Sequence, residues 1–202
     1  MARLAMKFGG TSVGSPDAIA QTVAIVKDHL AQGDEVVVVV SAMSGVTDML
    51  LKSAKAAVES DKWTYMSISE EIQQKHQEVI STLIDSPDEQ EKILNEVNQL
   101  LQEHMELCEA VNILHEATPR ILDAIVSFGE RLSSRVIATV LRNQGISAQQ
   151  YDSSNFIVTN NNYQDADPLW DETEAKITNR LLPDIENGIT PIITGFIGST
   201  PD

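Results

Sequence analysis

The most constraining feature of the sequence is an unbroken run of five valines, Val36–Val40. A continuous β-branched run is typical of a strand that is covered on both faces, as in a parallel sheet. Upstream, the apolar segment Leu4–Phe8 predicts a short strand. Ser15, followed by proline and aspartate, predicts the start of a helix that spans residues 16 to about 32 and ends at Gly33. A strand, a helix and a second buried strand in this order predict a parallel βαβ unit.

The loop after the first strand carries a positive charge and two adjacent glycines. Gly9 and Gly10 free the backbone from Cβ exclusion, so a ligand can approach the main chain closely. Backbone N–H groups near a helix N-terminus, with Lys7 beside them, favour an anion such as phosphate. The spacing also allows an alternative, in which the glycines form a tight turn and Lys7 is a solvated edge residue. The segment matches neither the dinucleotide pattern GxGxxG nor the P-loop pattern GxxxxGK(S/T), which disfavours both of those sites.

The charge of the chain limits the classes of partner. Its 202 residues carry a net charge of −16, which argues against nucleic acid and anionic membranes, because both require clustered Lys and Arg. An anionic ligand would need a few placed cations, and the candidates are Lys7, Arg120, Arg131 and Arg135. The single cysteine, Cys108, excludes an intrachain disulfide and a cysteine zinc cluster and fits a reducing cytoplasm. The sequence shows neither a signal-peptide pattern nor an apolar run of membrane-spanning length.

Polar residues also follow the valine strand. The segment Ser41–Val46 is small and hydroxylated, and Thr47 or Asp48 is predicted to cap a helix that extends to about Glu59. Open α/β sheets bind ligands at the carboxyl ends of their strands. The two loops after the first two strands are therefore candidates for a binding site.

Residues 63–115 lack strand signals and show helical spacing of apolar residues, interrupted at Ser86–Asp88. This segment is predicted to form a helical hairpin that covers one edge of the sheet. Its histidines are too scattered for a metal-ligand pattern, and surface or packing roles are expected for His76, His104 and His115.

The next segment contains a candidate binding carboxylate. Thr118 predicts the cap of one helix, and a second helix is predicted from about Gly129 to Asn143. Glu130 would then lie in a first turn, where the helix dipole favours a carboxylate and where it could meet a cationic group of a ligand. The alternative is a first-turn glutamate paired with Arg131 or Arg135, since acids are common at that position.

The remaining sequence predicts weak strands at 146–152 and 156–159, a helix over residues 167–187, and a strand at Pro191–Thr194 followed by a short strand and a turn. No strand that returns to the sheet follows this turn. The sequence is therefore expected to be a piece of a longer polypeptide.

Four segments carry a resemblance to a known family. In their order and spacing they resemble the aspartokinases of the amino acid kinase family, and the resemblance covers the whole chain. Related kinases of carbamate, acetylglutamate, glutamate and uridylate keep a lysine and glycines in the first loop but are not expected to carry this set. The segments are Lys7–Val13 (KFGGTSV), Val39–Asp48 (VVSAMSGVTD), Ser127–Ser134 (SFGERLSS) and Ile193–Gly198 (ITGFIG).

The resemblance implies a fold and a reaction. The fold would be α/β, with a mostly parallel sheet sandwiched by helices and residues 63–115 as a helical hairpin insertion. The reaction would be phosphoryl transfer from ATP to the β-carboxylate of L-aspartate, the first step towards lysine, threonine and methionine. The enzyme would be a cytoplasmic homo-oligomer, and Mg²⁺ would be held mainly by the ATP phosphates, without dedicated metal ligands.

The resemblance also implies roles for individual residues. Lys7 would be the catalytic residue that holds the transferring phosphoryl oxygens. Ser41 and Thr47 would line the aspartate site, and Glu130 would accept the α-ammonium group of the substrate. The phosphate and ATP site would comprise Lys7, Phe8, Gly9, Gly10, Thr11 and Ser12.

The family pattern continues into a TTLGRGGSD block, a nucleotide-binding half and regulatory ACT domains, none of which follows Asp202. The isolated chain is therefore expected to lack normal kinase activity and to leave one side of its sheet exposed. Two other interpretations stay open. One is a non-catalytic truncated subunit that serves assembly or regulation, and the other is a sister kinase that acts on another carboxylate or on carbamate.

Overall fold

A computed structural model describes residues 2–201 of the chain. Within these residues, parallel strands form one sheet in the order β1-β2-β4-β3, which confirms the predicted α/β fold with a mostly parallel sheet. A short 3₁₀ helix covers Ser153–Asn155. The strands are β1 (Arg3–Phe8), β2 (Glu35–Val40), β3 (Ala148–Tyr151) and β4 (Thr190–Thr194), and the helices are α1 (Pro16–Ala31), α2 (Val46–Val58), α3 (Lys62–Leu83), α4 (Pro87–Leu114), α5 (Pro119–Asn143), α6 (Trp170–Arg180) and α7 (Leu182–Glu186).

The predicted βαβ unit is present as β1, α1 and β2. The Ser15 hydroxyl accepts the N–H of Ala18 at 3.2 Å and caps α1. Gly33 follows the end of α1 with a φ of 83°, in the left-handed region that glycine adopts without a steric penalty. The chain then returns to the sheet, where Lys7 of β1 lies beside Val39 of β2 in parallel register.

The two faces of the sheet are covered unequally. Alternate valines of β2 lie in the main core, together with buried residues of α1, α2 and α5. Val37 and Val39, on the other face, are only half-buried and pack against a small cluster that includes Ile193. Their neighbours in β1, Ala5 and Lys7, are exposed. The second face is therefore open at the edge strand β1.

The helical hairpin is present as α3 and α4, but its predicted docking position is wrong. The Ser86 hydroxyl accepts the N–H of Glu89 at 3.4 Å and starts α4. The hairpin packs mainly on α2 and α5, so that it forms an outer layer over helices and does not cover an edge of the sheet. The apolar residues along one side of the hairpin show that it packs against another part of the protein. The sequence pattern does not identify that part. His76 and His104 are fully buried, as expected for packing residues, and burial lowers the pKa of each to about 4, which keeps each imidazole neutral.

The predicted start of α2 is also wrong. The helix begins at Val46 after Gly45, whose φ of 81° places it in the left-handed region. No side chain caps this end, and Thr47 and Asp48 lie inside the first turn instead of at the N-cap. The left-handed conformation of Gly45 ends the preceding loop. A helix start of this kind cannot be recognised by looking for a polar N-cap residue in the sequence.

The two helices predicted around Gly129 are one continuous 25-residue helix, α5, capped by Thr118. Gly129 does not break the helix but permits close packing, since a Cβ at this position would lie 2.7 Å from Cβ of Ala42. Glu130 therefore lies in the middle of α5, and the predicted stabilisation by a helix N-terminus does not apply to it.

We expect Gly129→Ala to destabilise the protein by about 1–3 kcal/mol, because the added methyl overpacks the contact with Ala42. Elsewhere in a helix the same change would stabilise by up to about 1 kcal/mol. Urea denaturation measures the free energy of unfolding. The double variant Gly129→Ala, Ala42→Gly removes the opposing methyl and should recover most of the loss. Equal unfolding free energies of Gly129→Ala and the unaltered protein would contradict the close-packing explanation.

The C-terminal part differs from the prediction in detail. The segment 156–159 forms only isolated bridges, Val158 with Ser199 and Thr159 with Pro168. The helix expected over 167–187 begins at Trp170 and is divided into α6 and α7, since Pro183 has no N–H to continue the hydrogen-bond series. The short strand predicted after β4 is absent from the described residues. None of the helices in residues 2–201 has the length and apolar character needed to cross a membrane.

Candidate active site

Two loops meet at the carboxyl ends of β1 and β2. In the first loop, the N–H of Ser12 donates to the carbonyl of Gly9 at 2.9 Å and closes a turn. The loops are closely packed, because a Cβ on Gly10 would lie 3.0 Å from the carbonyl oxygen of Ala42 and one on Gly14 would lie 2.8 Å from Cβ of Ser44. Only glycine fits this approach. The sequence predicted that both loops lie at this edge, and the structure brings them together.

The Gly9–Ser12 turn leaves its backbone open to a ligand. A Cβ built on Gly9 has no heavy atom within 4 Å. Within residues 2–201, no backbone carbonyl accepts a hydrogen bond from the N–H of Gly10 or of Thr11. Thr11 is exposed, and Ser12 is anchored below by the hydroxyl of Thr22, which donates to its carbonyl at 2.9 Å. Free amides on a fixed turn can bind an anion.

Lys7 lies at the end of β1, on the open face of the sheet. Its Nζ lies 4.5 Å from the centroid of the Phe196 ring. Phe196 is itself exposed and has a φ of 45°, a conformation that is uncommon for a bulky residue. The preceding residue, Gly195, is buried and donates its N–H to the carbonyl of Val40 at 2.9 Å. The loop after β4 thus joins the loops after β1 and β2 as a third wall of the site.

Glu130 reaches this site from α5 and is only 7% exposed. Its Oε1 atom lies 3.4 Å from where a Cβ on Gly195 would be. The pKa of Glu130 is raised to about 8, mainly by burial and to a smaller extent by Asp152, against the opposing effects of Lys7 and the hydroxyl of Ser41. Lys7 and Glu130 are distant in sequence, but the charge of the lysine acts on the carboxyl group of the glutamate. A buried carboxylate of this kind can accept a cationic group from a ligand.

The other sequence candidates have different positions. Ser41 is half-buried beside Glu130, whereas Thr47 is exposed on the first turn of α2 and makes none of the side-chain hydrogen bonds found at the site. Arg120 lies over the ring of Tyr163, with its guanidinium carbon 5.8 Å from the ring centroid. It is not part of the site.

The alternative pairing of Glu130 with a neighbouring arginine is not observed. Arg131 pairs with Asp152, at 3.4 Å between Nε and Oδ2, and with Glu103. Arg135 pairs with Glu96 at 3.9 Å. Of the four cations singled out from the sequence, Lys7 is the one whose charge acts on Glu130.

One neighbour of Glu130 escaped the sequence analysis. Asp152, which follows β3, contributes to the electrostatics of Glu130. Ser133 belongs to the segment Ser127–Ser134 that carries the family resemblance, and it lies one turn after Glu130 on the same helix. Its contact was not predicted, because Ser133 is fully buried in α5 and donates a hydrogen bond to the carbonyl of Ser41, which is distant in sequence.

Comparisons with known proteins agree with this arrangement. The sequence matches the amino acid kinase family over residues 2–202. The aspartokinase of Schizosaccharomyces pombe is 30% identical over 208 residues, which cover 96% of this chain and 38% of the relative. The chloroplastic aspartokinase 3 of Arabidopsis thaliana is 34% identical over 200 residues, which cover 96% of this chain and 34% of the relative.

Among solved structures, Escherichia coli aspartokinase III in complex with aspartate and ADP matches with a TM-score of 0.87 and 28% identity. This match covers 100% of the present chain and 42% of that chain. The present chain thus spans 34% to 42% of the length of these relatives. Because the family match covers the sequence from residue 2 onward and the parallel fold agrees with it, the chain belongs to the amino acid kinase family.

Proposed function

We propose that this chain supplies the aspartate-binding and phosphate-binding part of an ATP-dependent aspartate kinase, which phosphorylates the β-carboxylate of L-aspartate. The observation that carries the proposal is the shared site of Lys7, the open glycine turn and the buried Glu130. These groups match the charges of a phosphate and of an amino acid ammonium group. The complex of E. coli aspartokinase III with aspartate and ADP supports both ligand classes.

The chemistry requires charge stabilisation more than proton transfer. An oxygen of the substrate β-carboxylate forms a bond to the γ-phosphorus of ATP while the bond to the bridging oxygen breaks and ADP leaves. The attacking carboxylate is already ionised, so no general base is needed, and positioning and charge neutralisation supply the catalysis. Lys7 and the amides of Gly9, Gly10 and Thr11 would bind the transferring phosphoryl oxygens, where negative charge is spread in the transition state. Phe8 and Ser12 would fix the two ends of this turn.

Glu130 would orient the amino acid substrate. Its buried carboxylate would accept the α-ammonium group, and the hydroxyls of Ser41 and Thr47 would line the remainder of the pocket. The low exposure of Glu130 strengthens a charged contact, because little water competes with it. An amino acid held at its ammonium group could then present its β-carboxylate towards Lys7.

The donors on this chain fit a magnesium ion that is carried by the nucleotide. Residues 2–201 contain no group of three or more His, Cys, Asp or Glu side chains that could hold a metal ion by themselves. Mg²⁺ commonly keeps several water ligands and binds through substrate phosphates, where it neutralises phosphate charge. We therefore propose ATP with Mg²⁺ as the phosphoryl donor. From the family resemblance alone, we also propose that the complete enzyme is a homo-oligomer in the pathway to lysine, threonine and methionine.

Aspartyl hydroxamate formation tests the proposed function. The complete protein that contains this sequence is incubated with Mg-ATP, hydroxylamine and L-aspartate, beside parallel reactions with L-glutamate and N-acetyl-L-glutamate. We expect product with L-aspartate and background levels with the other two acids. Product with glutamate or acetylglutamate alone would favour a sister carboxylate kinase, and no product with any acid would favour a non-catalytic module. The 202-residue chain, assayed in the same way, is expected to show little or no activity.

A further inference from the structure

The hydroxyl of Ser133 ties the loop after β2 to the helix that carries Glu130. Ser133 is fully buried, one turn after Glu130 in α5. Its hydroxyl donates to the carbonyl of Ser41 at 2.7 Å, while the carbonyl of Glu130 in its own helix is more distant, at 3.3 Å. The bond to Ser41 is therefore the principal one that this hydroxyl makes.

The carbonyl of Ser41 depends on this bond. The ladder between β2 and β4 ends at the pair Val40 and Thr194, so the sheet does not supply a donor to the next residue. Within residues 2–201, no backbone N–H outside the regular elements donates to this carbonyl either. Ser41 is held on its other side through its own N–H, which donates to the carbonyl of Phe8 at 3.1 Å. Its peptide units are thus fixed by β1 and α5 together.

We propose that Ser133 is a positioning residue for the amino acid substrate. Through the Ser41 carbonyl it sets the loop after β2 against Glu130, so that the Ser41 hydroxyl and the Glu130 carboxylate face the substrate before it binds. This inference rests on the proposed aspartate site. Preorganisation of this kind raises affinity because less ordering is left for the binding step. Ser133 itself does not touch the substrate.

The neighbouring residue Ser134 provides a matched control. It lies on the same helix and is equally buried. Its hydroxyl donates within α5, to the carbonyl of Arg131 at 3.3 Å, and receives a bond from Gln150 at 3.4 Å. Ser134→Ala therefore removes the same atom from the same helix without releasing the loop after β2.

The test compares Ser133→Ala with Ser134→Ala in the complete protein. We expect Ser133→Ala to raise KM for aspartate ~3–10-fold, the usual range for one lost hydrogen bond, while KM for ATP stays within about twofold. We expect Ser134→Ala to leave both constants near those of the unaltered protein. A purely structural role would lower the melting temperature of both variants without this selective rise in KM for aspartate. An equal KM for aspartate in the two variants would overturn the proposal.

Amide hydrogen exchange of the protein without ligands gives a second readout. The amides of Ser41 and Val46, which donate to the carbonyls of Phe8 and Met43, should exchange faster in Ser133→Ala than in Ser134→Ala, and equal rates would overturn the proposal even if KM differs. If the unaltered protein does not phosphorylate aspartate, the proposed function fails, and the exchange rates still decide whether Ser133 holds the loop. If Ser133→Ala does not fold, Ser133→Cys, which keeps a weak donor of similar shape, replaces it and should change KM and exchange in the same direction.

Discussion

Replacement of Lys7 by alanine is expected to lower kcat for aspartate phosphorylation by about 10²–10³-fold, the usual cost of removing one preorganised group that stabilises transition-state charge. Lys7 is the cation whose charge reaches the buried Glu130, and it stands beside the open turn that begins at Gly9. Its side chain is exposed on the uncovered face of the sheet, so the substitution should leave the core intact. Steady-state kinetics with saturating aspartate and Mg-ATP measure the effect.

Arg3 provides a matched control for this prediction. It is an exposed cation on the same strand and the same face as Lys7, but it lies at the opposite end of β1 and pairs with Glu35 at 2.7 Å. We expect Arg3→Gln to leave kcat within about twofold, because neutralisation at that end of the strand is far from the ligand loops. Equal losses in Lys7→Ala and Arg3→Gln would indicate a general electrostatic effect, and an unchanged kcat in Lys7→Ala would contradict the catalytic role of Lys7.

Local signals in the sequence predicted the first three elements of the fold well. The structure confirms the prediction of β1, α1 and β2. These elements were predictable because their signals determine only nearby structure, and the signals are the valine run, the serine cap of α1 and Gly33. Gly129 misled the prediction because a glycine can end a helix or admit a close neighbour. Only its contact with Ala42, which is distant in sequence, decides between the two. The docking of the hairpin on α2 and α5 depends on the same kind of contact.

The candidate site was predictable to a similar extent. Lys7 and the glycine turn form a local pattern with a physical meaning, and the structure places them at the carboxyl edge of the sheet. The importance of Glu130 followed from the family resemblance, since its predicted first-turn position was wrong. Asp152 could not be predicted, because only the folded chain brings the end of β3 near Glu130. Ser133 lies in a segment that carries the family resemblance, but its bond to the carbonyl of Ser41 joins parts of the chain that are distant in sequence and could not be predicted.

We expect Glu130→Gln to weaken aspartate binding by about 30-fold or more, since removal of one partner from a buried charged contact costs about 2–5 kcal/mol. Glutamine keeps the shape of the side chain and removes its charge. Isothermal titration calorimetry of the complete protein with L-aspartate measures the change. Glu103→Gln removes a partly exposed carboxylate that pairs with Arg131, so it should alter the affinity by no more than about twofold. A Glu130→Gln protein that binds aspartate as tightly as the unaltered protein would exclude an ammonium contact at this residue.

The titration of Glu130 gives this prediction a second signature. Because burial raises the pKa of Glu130 to about 8, most of the unliganded protein holds this carboxyl in its neutral form at pH 7. An ammonium group beside it favours the charged form, so aspartate binding at pH 7 should release about one proton. Calorimetry in two buffers of different ionisation enthalpy detects this release, which Glu130→Gln should abolish. Affinity should rise with pH up to about pH 8, and a pH-independent affinity would contradict the proposed contact.

The raised pKa of Glu130 also determines how the substitution changes stability without substrate. In the unfolded chain the carboxyl titrates near its ordinary value of 4.5, whereas in the folded protein burial raises the pKa to about 8. Between these values the folded state binds more protons than the unfolded state, so this group lowers stability progressively as pH rises, and the full penalty is reached above about pH 8.

Glu130→Gln removes the penalty. We therefore expect the variant to be more stable than the unaltered protein by about 4–5 kcal/mol at pH 8.5 and equally stable near pH 4, since a tenfold change in the acid dissociation constant corresponds to about 1.4 kcal/mol. Urea denaturation at the two pH values measures the difference, and a variant that is destabilised at pH 8.5 would mean that the folded protein already satisfies the ionised carboxylate without a ligand.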